Sequence, residues 1–200
     1  MSEKQDNSKK TIFVVGADDY NLDLIRAIPE AKDWELVRTL EHEDVQPWHG
    51  RIDFDELYAR AKQIIDDHGG KPDAIIGYYD FPVTSLVSLL TRDYGLPGAS
   101  PQAVARCEHK YWMRLVEERV FPERTPYYTA LNPFQPTKAK RKAPDYPFWL
   151  KPVKSAGSYL GFRIDDEAAF HRAVAEIREH IHRIAEPFDR ILEYIDLPPE

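Results

Sequence analysis

The stretch FWLKPVKSAGSYLGFRI, residues 148–164, decides how the second half of this chain folds. Apolar residues at its two ends predict two short strands, 148–150 and 159–164, joined by a loop of small residues. Small side chains let the backbone N–H groups of such a loop approach an anion closely, and Lys151 and Lys154 at its edge would add positive charge. The same residues also fit an ordinary hairpin with a glycine turn and solvated lysines. On this stretch alone, both interpretations stay open.

Strands and helices alternate through residues 11–97, which predicts an α/β domain. The apolar run TIFVVG, residues 11–16, is typical of a strand that is buried on both faces of a parallel sheet. Short links between the alternating elements favour a Rossmann-like parallel sheet with right-handed crossovers. The other predicted elements are strands at 34–40 and 73–79 and helices at 21–28, 54–67 and 82–94.

Acidic residues follow two of these strands, at the sheet edge where α/β proteins bind ligands. Asp18 and Asp19 follow the first strand, and Asp80 follows the third. They fit a pocket for the amine or hydroxyl of a substrate, but we favour helix capping, because aspartate is a strong N-cap residue. The chain contains no G-x-G-x-x-G sequence, so a dinucleotide site of that type is not predicted.

Residues 98–200 form a second predicted half, which begins near the small-residue boundary GLPGAS, residues 95–100. A helical lysine such as Lys110 is usually solvated, so this residue alone predicts no site. The predicted elements are helices to about residue 119, a candidate strand at 125–131, a mobile loop at 132–145, a long helix at 165–185 and a closing strand at 190–195.

Taken in order, these elements resemble the ATP-grasp family. The matching pieces are a helix with Lys110, an apolar strand that ends in Lys151 and Pro152, the pattern SxGSxxG at 155–161, and EYI at 193–195 followed by a second glutamate. The resemblance implies a disordered lead-in at 1–10, a Rossmann-like preATP-grasp domain at 11–97 and the first half of an ATP-grasp domain at 98–200. The implied fold class is thus α/β with an α+β ATP-grasp subdomain, truncated before its C-terminal half.

The resemblance also assigns an ATP-binding role to twelve residues. Two lysines, Lys110 and Lys151, match the pair that holds the phosphates from opposite sides. The carbonyl group of Glu193 and the N–H group of Asp196 match the hinge that reads adenine, and Glu200 matches the carboxylate that binds the ribose hydroxyls. The remaining members are the flap residues Ser155, Ala156, Gly157, Ser158 and Gly161 and the hinge residues Tyr194 and Ile195.

Family members convert a carboxylate to an acyl phosphate, which an amine, thiol or other nucleophile then attacks. The resemblance implies ATP, a small carboxylic acid and a nucleophile as partners, with magnesium ligands expected beyond residue 200. We therefore expect the N-terminal portion of a carboxylate–amine (or carboxylate–thiol) ligase, inactive alone. Two alternatives are a non-catalytic nucleotide-binding or interaction module and a flavodoxin-like domain. The second alternative predicts that neither lysine lies near the Gly157 loop.

Composition limits the other classes of function. The 200 residues carry a formal net charge of −7, which argues against a nucleic-acid-binding protein because such proteins present a basic face. The basic run at 138–142 is more typical of a solvated surface. A single cysteine, no apolar run of membrane-spanning length and a polar N-terminus predict a cytoplasmic protein without a membrane partner. The predicted edge strand at 190–195 would favour a homodimer.

Overall fold

The computed structural model describes residues 9–46, 52–135 and 143–196. The chain divides into two compact units, Met1–Pro101 and Gln102–Glu200. Four sequence predictions lie wholly or partly outside the described residues: most of the disordered lead-in (residues 1–8), residues 136–142 of the loop predicted at 132–145, the basic run at 138–142 and the ribose-binding role of Glu200.

The first unit contains a sheet of three parallel strands in the order β2-β1-β3. Strand β1 is flanked on both sides, with Phe13 opposite Val37 of β2 and Ile75 of β3. Its residues Phe13, Val14 and Val15 are at most 1% exposed, as a continuous apolar run in a parallel sheet requires. The parallel sheet predicted from the sequence is therefore confirmed. The strands are β1 (Lys10–Ala17), β2 (Trp34–Glu41) and β3 (Ala74–Ile76).

Three helices cover this sheet. Helix α2 buries Leu57, Ala61 and Ile65, which lie on one face because they are spaced by four residues. Asp18 and Asp53 are helix N-caps, and their side chains accept hydrogen bonds from the backbone N–H groups of Asn21 and Glu56. The capping role that we favoured for Asp18 is thus confirmed. The helices are α1 (Asp19–Arg26), α2 (Phe54–Asp67) and α3 (Val83–Asp93).

The second unit is built around the hairpin of the opening stretch. Strands β4 and β5 are antiparallel, with Phe148 opposite Ile164 and Leu150 opposite Phe162. Ile164 packs with Phe170 and other residues of α6 in a buried apolar cluster. The elements are α4 (Pro101–Glu108), α5 (Lys110–Val120), β4 (Phe148–Leu150), β5 (Phe162–Ile164), α6 (Glu167–His180) and α7 (His182–Leu192).

The prediction of a closing strand at 190–195 is wrong. Residues 190–192 complete helix α7, and Glu193, Tyr194 and Ile195 follow in a turn. The helix buries Ile184, Phe188 and Ile191, whose spacing of four and three residues places them on one helical face. A helix also satisfies its own backbone hydrogen bonds, whereas a strand here needs a partner strand. Without this strand, the predicted homodimer loses its structural argument and stays a prediction.

Several further elements differ from the sequence prediction, and β3, for example, ends at Ile76 rather than at residue 79. The candidate strand at 125–131 is irregular chain, in which Pro126 removes one backbone donor. The long helix predicted at 165–185 is divided at Ile181 into α6 and α7. Strand β5 begins at Phe162 rather than at residue 159, because Leu160 has a positive φ of 56°, which is incompatible with a strand. The hairpin itself is confirmed.

None of the helices that the structure describes is both long enough and apolar enough to cross a membrane.

Candidate functional site

A cavity of about 860 Å³ lies within the second unit, bordered by α5, β4 and the segment 126–131. Both lysines that were predicted to hold phosphates, Lys110 and Lys151, line it. Most of its other walls are aromatic or aliphatic. Two ammonium groups beside an apolar wall suit an anionic ligand that also has an apolar or flat part. The apolar wall includes Tyr111, Tyr127, Tyr128, Phe148, Trp149 and Ile177.

Lys110 is the first residue of α5 and is attached to the loop that follows β4. Its backbone N–H group donates a 2.8 Å hydrogen bond to the carbonyl oxygen of Val153. Its Nζ atom donates to the carbonyl oxygen of Ser155 at 2.7 Å and lies 3.4 Å from the Ser155 hydroxyl. This contact contradicts the flavodoxin-like alternative, which placed neither lysine near the Gly157 loop.

The helix start that carries Lys110 is fixed by His109. The Nδ1 atom of His109 accepts a 3.2 Å hydrogen bond from the backbone N–H group of Trp112, and the two rings stack with centroids 3.9 Å apart. Burial lowers the pKa of His109, and the charge of Lys110 lowers it further. A neutral imidazole is what this cap needs, because only an unprotonated Nδ1 atom can accept a hydrogen bond.

Lys151 follows the last residue of β4 and is exposed. Its Nζ atom lies 5.4 Å from the centre of the Trp149 ring, within the range of a cation–π interaction. A Cβ atom at Gly161 would lie 3.8 Å from the Cγ atom of Lys151 and 3.2 Å from the carbonyl oxygen of Ser158. Gly161 therefore lies beside the Lys151 side chain.

Two successive tight turns shape the small-residue loop between β4 and β5. The N–H group of Tyr159 donates to the carbonyl oxygen of Ala156, and that of Gly161 donates to Ser158, each at 3.0 Å. Gly157 and Ser158 have positive φ angles of 57° and 61°. The described residues that line the cavity include none of the loop residues 155–161, so the loop adjoins the cavity through Lys110 rather than forming its wall.

Lys154 does not have the role that the sequence suggested. The sequence left two roles open for Lys154, charge at the edge of an anion-binding loop or a solvated position in an ordinary hairpin, but its side chain is only 5% exposed. Its Nζ atom is 2.9 Å from the Oε2 atom of Glu108, which is 9% exposed, and 5.7 Å from the centre of the Phe188 ring. A glutamate at a helix end is usually solvated, so no sequence signal singled out Glu108.

The four predicted adenine-hinge residues lie elsewhere in the unit. Glu193, Tyr194, Ile195 and Asp196 follow α7, and among the described residues that line the cavity none of them appears. Ile195 is buried, and Glu193 forms a 2.8 Å ion pair with Arg190. The strand on which their role depends is absent here, so adenine recognition by these residues stays a prediction.

The described residues offer no cluster of metal ligands, and the acidic residues at the sheet edge of the first unit make local contacts. Within residues 9–46, 52–135 and 143–196, no three His, Cys, Asp or Glu side chains are grouped so that they could hold a metal ion. At the sheet edge, Asp18 caps α1, and hydrogen bonds from Asn21 hold the pKa of its carboxyl group below the usual value. Asp19 forms an ion pair with Arg38.

Comparison with known proteins finds a similarity in structure. No protein-family model matches the chain, and no curated protein matches its sequence. A crystal structure of an L-amino acid ligase from Bacillus licheniformis is similar, with a TM-score of 0.62 and 15% sequence identity. The match covers 86% of this chain and 43% of that chain, so this chain spans less than half of the ligase's length. This chain therefore shares the fold of that ligase over most of its length, and the predicted α/β fold class with its parallel sheet is confirmed.

Proposed function

We propose that this chain is the N-terminal portion of an ATP-dependent ligase that joins a carboxylate to an amine or thiol through an acyl phosphate. One observation carries the proposal: Lys110 and Lys151, far apart in sequence and on different elements, line the same cavity. The structural similarity to an L-amino acid ligase supports the same class of reaction.

In this proposal the two ammonium groups bind the triphosphate of ATP from different sides. Lys110 approaches from the start of α5, and Lys151 approaches from the end of β4. The amides of Tyr159 and Gly161 already close turns, so those of Ala156, Gly157 and Ser158 are assigned to the phosphates. The aromatic wall of the cavity supplies stacking surfaces for a flat ring.

The proposed reaction has two steps, a phosphoryl transfer and an acyl transfer. A carboxylate oxygen attacks the γ-phosphorus of ATP, the bond to the β-phosphate oxygen breaks, and an acyl phosphate and ADP form. The nitrogen or sulfur nucleophile then attacks the acyl carbon and loses its proton as inorganic phosphate leaves. Lys110 and Lys151 neutralise the charge that develops on the transferred phosphoryl group.

Magnesium is the metal that the fold class implies. Since the described residues offer no group of three metal-ligating side chains, we assign none of them to this ion. For the same reason we expect the chain alone to form no acyl phosphate. Amino acids are the first carboxylates and nucleophiles to test.

The experiment uses the longest natural form of the protein, with MgATP and a panel of amino acids and small acids. We expect ADP release that depends on a carboxylate and falls at least about 100-fold in Lys110→Ala and Lys151→Ala, since charged phosphate contacts act in the transition state. The control Lys32→Ala removes an exposed lysine of the first unit and should retain activity. Nucleotide binding without carboxylate-dependent turnover would instead favour the non-catalytic module.

A further inference from the structure

We infer that the buried ion pair between Lys154 and Glu108 is a positioning device, which holds Lys110 and the start of the small-residue loop in one arrangement. The inference rests on the proposed nucleotide site for its functional consequence. Its structural part concerns only two short segments, 108–110 and 153–155.

Polar contacts of side chains and backbone join these two segments. Glu108 pairs with Lys154 at 2.9 Å. The backbone N–H group of Lys110 donates to the carbonyl oxygen of Val153 at 2.8 Å. The Nζ atom of Lys110 donates to the carbonyl oxygen of Ser155 at 2.7 Å. These contacts hold the two segments together, because Glu108 binds Lys154 while Lys110 binds the residues on either side of it in sequence.

Because it is buried, the ion pair between Lys154 and Glu108 restricts how the two segments can be arranged. Both side chains are less than one-tenth exposed, and the Phe188 ring lies against the Lys154 ammonium group. A buried pair contributes little net stability compared with apolar side chains of similar volume, yet leaving one of its charges unpaired is costly. The pair therefore restricts which arrangements of the two segments are allowed more than it stabilises the unit as a whole.

Burial also separates the role of Lys154 from that of the other two lysines. Lys110 and Lys151 line the cavity, whereas Lys154 is held by Glu108. Lys154 therefore acts on a bound phosphate only through Lys110 and the loop. Lys154 and Glu108 are positioning residues in this account, and neither is expected to touch the nucleotide.

Hydrogen exchange without nucleotide tests the structural part. The amides of Tyr159 and Gly161 are hydrogen bonded within the loop, so their exchange rates report its order. We expect Glu108→Gln and Lys154→Met each to speed exchange at these amides about tenfold, and the double variant to exceed neither single variant, because both changes remove the same pair. Unchanged loop exchange in variants that still fold would overturn the inference.

A double-mutant cycle of Lys154 and Lys110, measured as MgATP affinity, tests the functional part. Lys154→Met should weaken binding about fivefold to tenfold in the wild-type background and clearly less in a Lys110→Ala background, since part of its effect passes through Lys110. An equal loss in both backgrounds would mean a merely structural role and overturn the inference.

A variant that does not fold, or a wild-type protein that does not bind MgATP, still leaves the positioning of the loop testable. If a single variant does not fold, the double variant Glu108→Gln and Lys154→Met, which leaves no buried unpaired charge, decides the exchange experiment. In that variant, fast loop exchange with a near-normal free energy of unfolding supports the inference, and loop exchange like that of the wild type overturns it. If the wild-type protein does not bind MgATP, the proposed function fails while the exchange data still test the positioning of the loop.

Discussion

The Nζ atom of Lys110 donates a 2.7 Å hydrogen bond to the carbonyl oxygen of Ser155, the first residue of the small-residue loop. This bond connects the start of α5 to the segment after β4, although the two residues are 45 positions apart. A lysine that lines a cavity is thus held in place before any ligand arrives. Preorganised charges of this kind lose little freedom when an anion binds.

The Lys110–Ser155 contact should be measurable as stability. We expect Lys110→Met to lower the free energy of unfolding by about 1–2 kcal/mol, because a half-buried, charge-assisted hydrogen bond is lost while the aliphatic stem is largely kept. Urea unfolding of the wild type and the variant measures the difference. Lys32→Met, at an exposed site, should change it by less than about 0.5 kcal/mol. Equal values for the two variants would count against the contact.

Acidification should weaken the start of α5 through His109. Its folded-state pKa lies below the unfolded value of about 6.5, chiefly through burial, so the fold favours the neutral ring. The stability it contributes is present above the unfolded pKa and is lost as the pH falls through the folded pKa.

Urea titrations at a series of pH values, from about 7.5 to about 5, measure this loss. His109→Asn keeps a capping side chain but does not titrate, so the wild type should lose more unfolding free energy than this variant over the same interval. Parallel pH profiles for the two proteins would contradict the role assigned to the ring.

Substitutions at two loop residues with positive φ angles should affect the free energy of unfolding differently. Gly157→Ala should lower the unfolding free energy by about 1 kcal/mol, because a Cβ atom is disfavoured at its φ of 57°. Ser158→Gly relieves the same strain at a φ of 61° but frees the unfolded chain, so it should be close to neutral or stabilising. Thermal unfolding compares the two, and a stabilising Gly157→Ala would show that the loop has a different backbone conformation.

The first unit offers a matched pair of glycines. A Cβ atom at Gly16 would lie 2.6 Å from the Cγ2 atom of the buried Val45. Among the described residues, none except the chain neighbours would have an atom within 4 Å of a Cβ atom at Gly69. Both have positive φ angles. Gly16→Ala should therefore cost about 2 kcal/mol or more through overpacking and strain, and Gly69→Ala only about 1 kcal/mol through strain. Similar losses in urea unfolding would contradict the close approach at Gly16.

Local patterns explain which elements the sequence could predict. Strand β1 has a continuous apolar run, and α2 combines a capping Asp53 with apolar residues at helical spacing, so both were expected with nearly their observed bounds. Lys110 and Lys151 were linked by the order of motifs, and they share a cavity.

The failures have physical causes of two kinds. Residues 190–195 contain Tyr194 and Ile195, which favour strands, but the helical spacing of Phe188 and Ile191 dominates and extends α7. The burial of Lys154 depends on Glu108, 46 positions away, and no local pattern reports such a partner. Long-range pairing of this kind can be read only from a structure.

The most direct measurement of the central claim is calorimetric titration of MgATP into the longest natural form of the protein and its lysine variants. We expect the wild type and Lys32→Ala to bind equally, and Lys110→Ala and Lys151→Ala each to bind at least about tenfold more weakly, since each loses a charged phosphate contact. Wild-type binding that neither substitution weakens, or no binding at all, would contradict a triphosphate site between these two lysines.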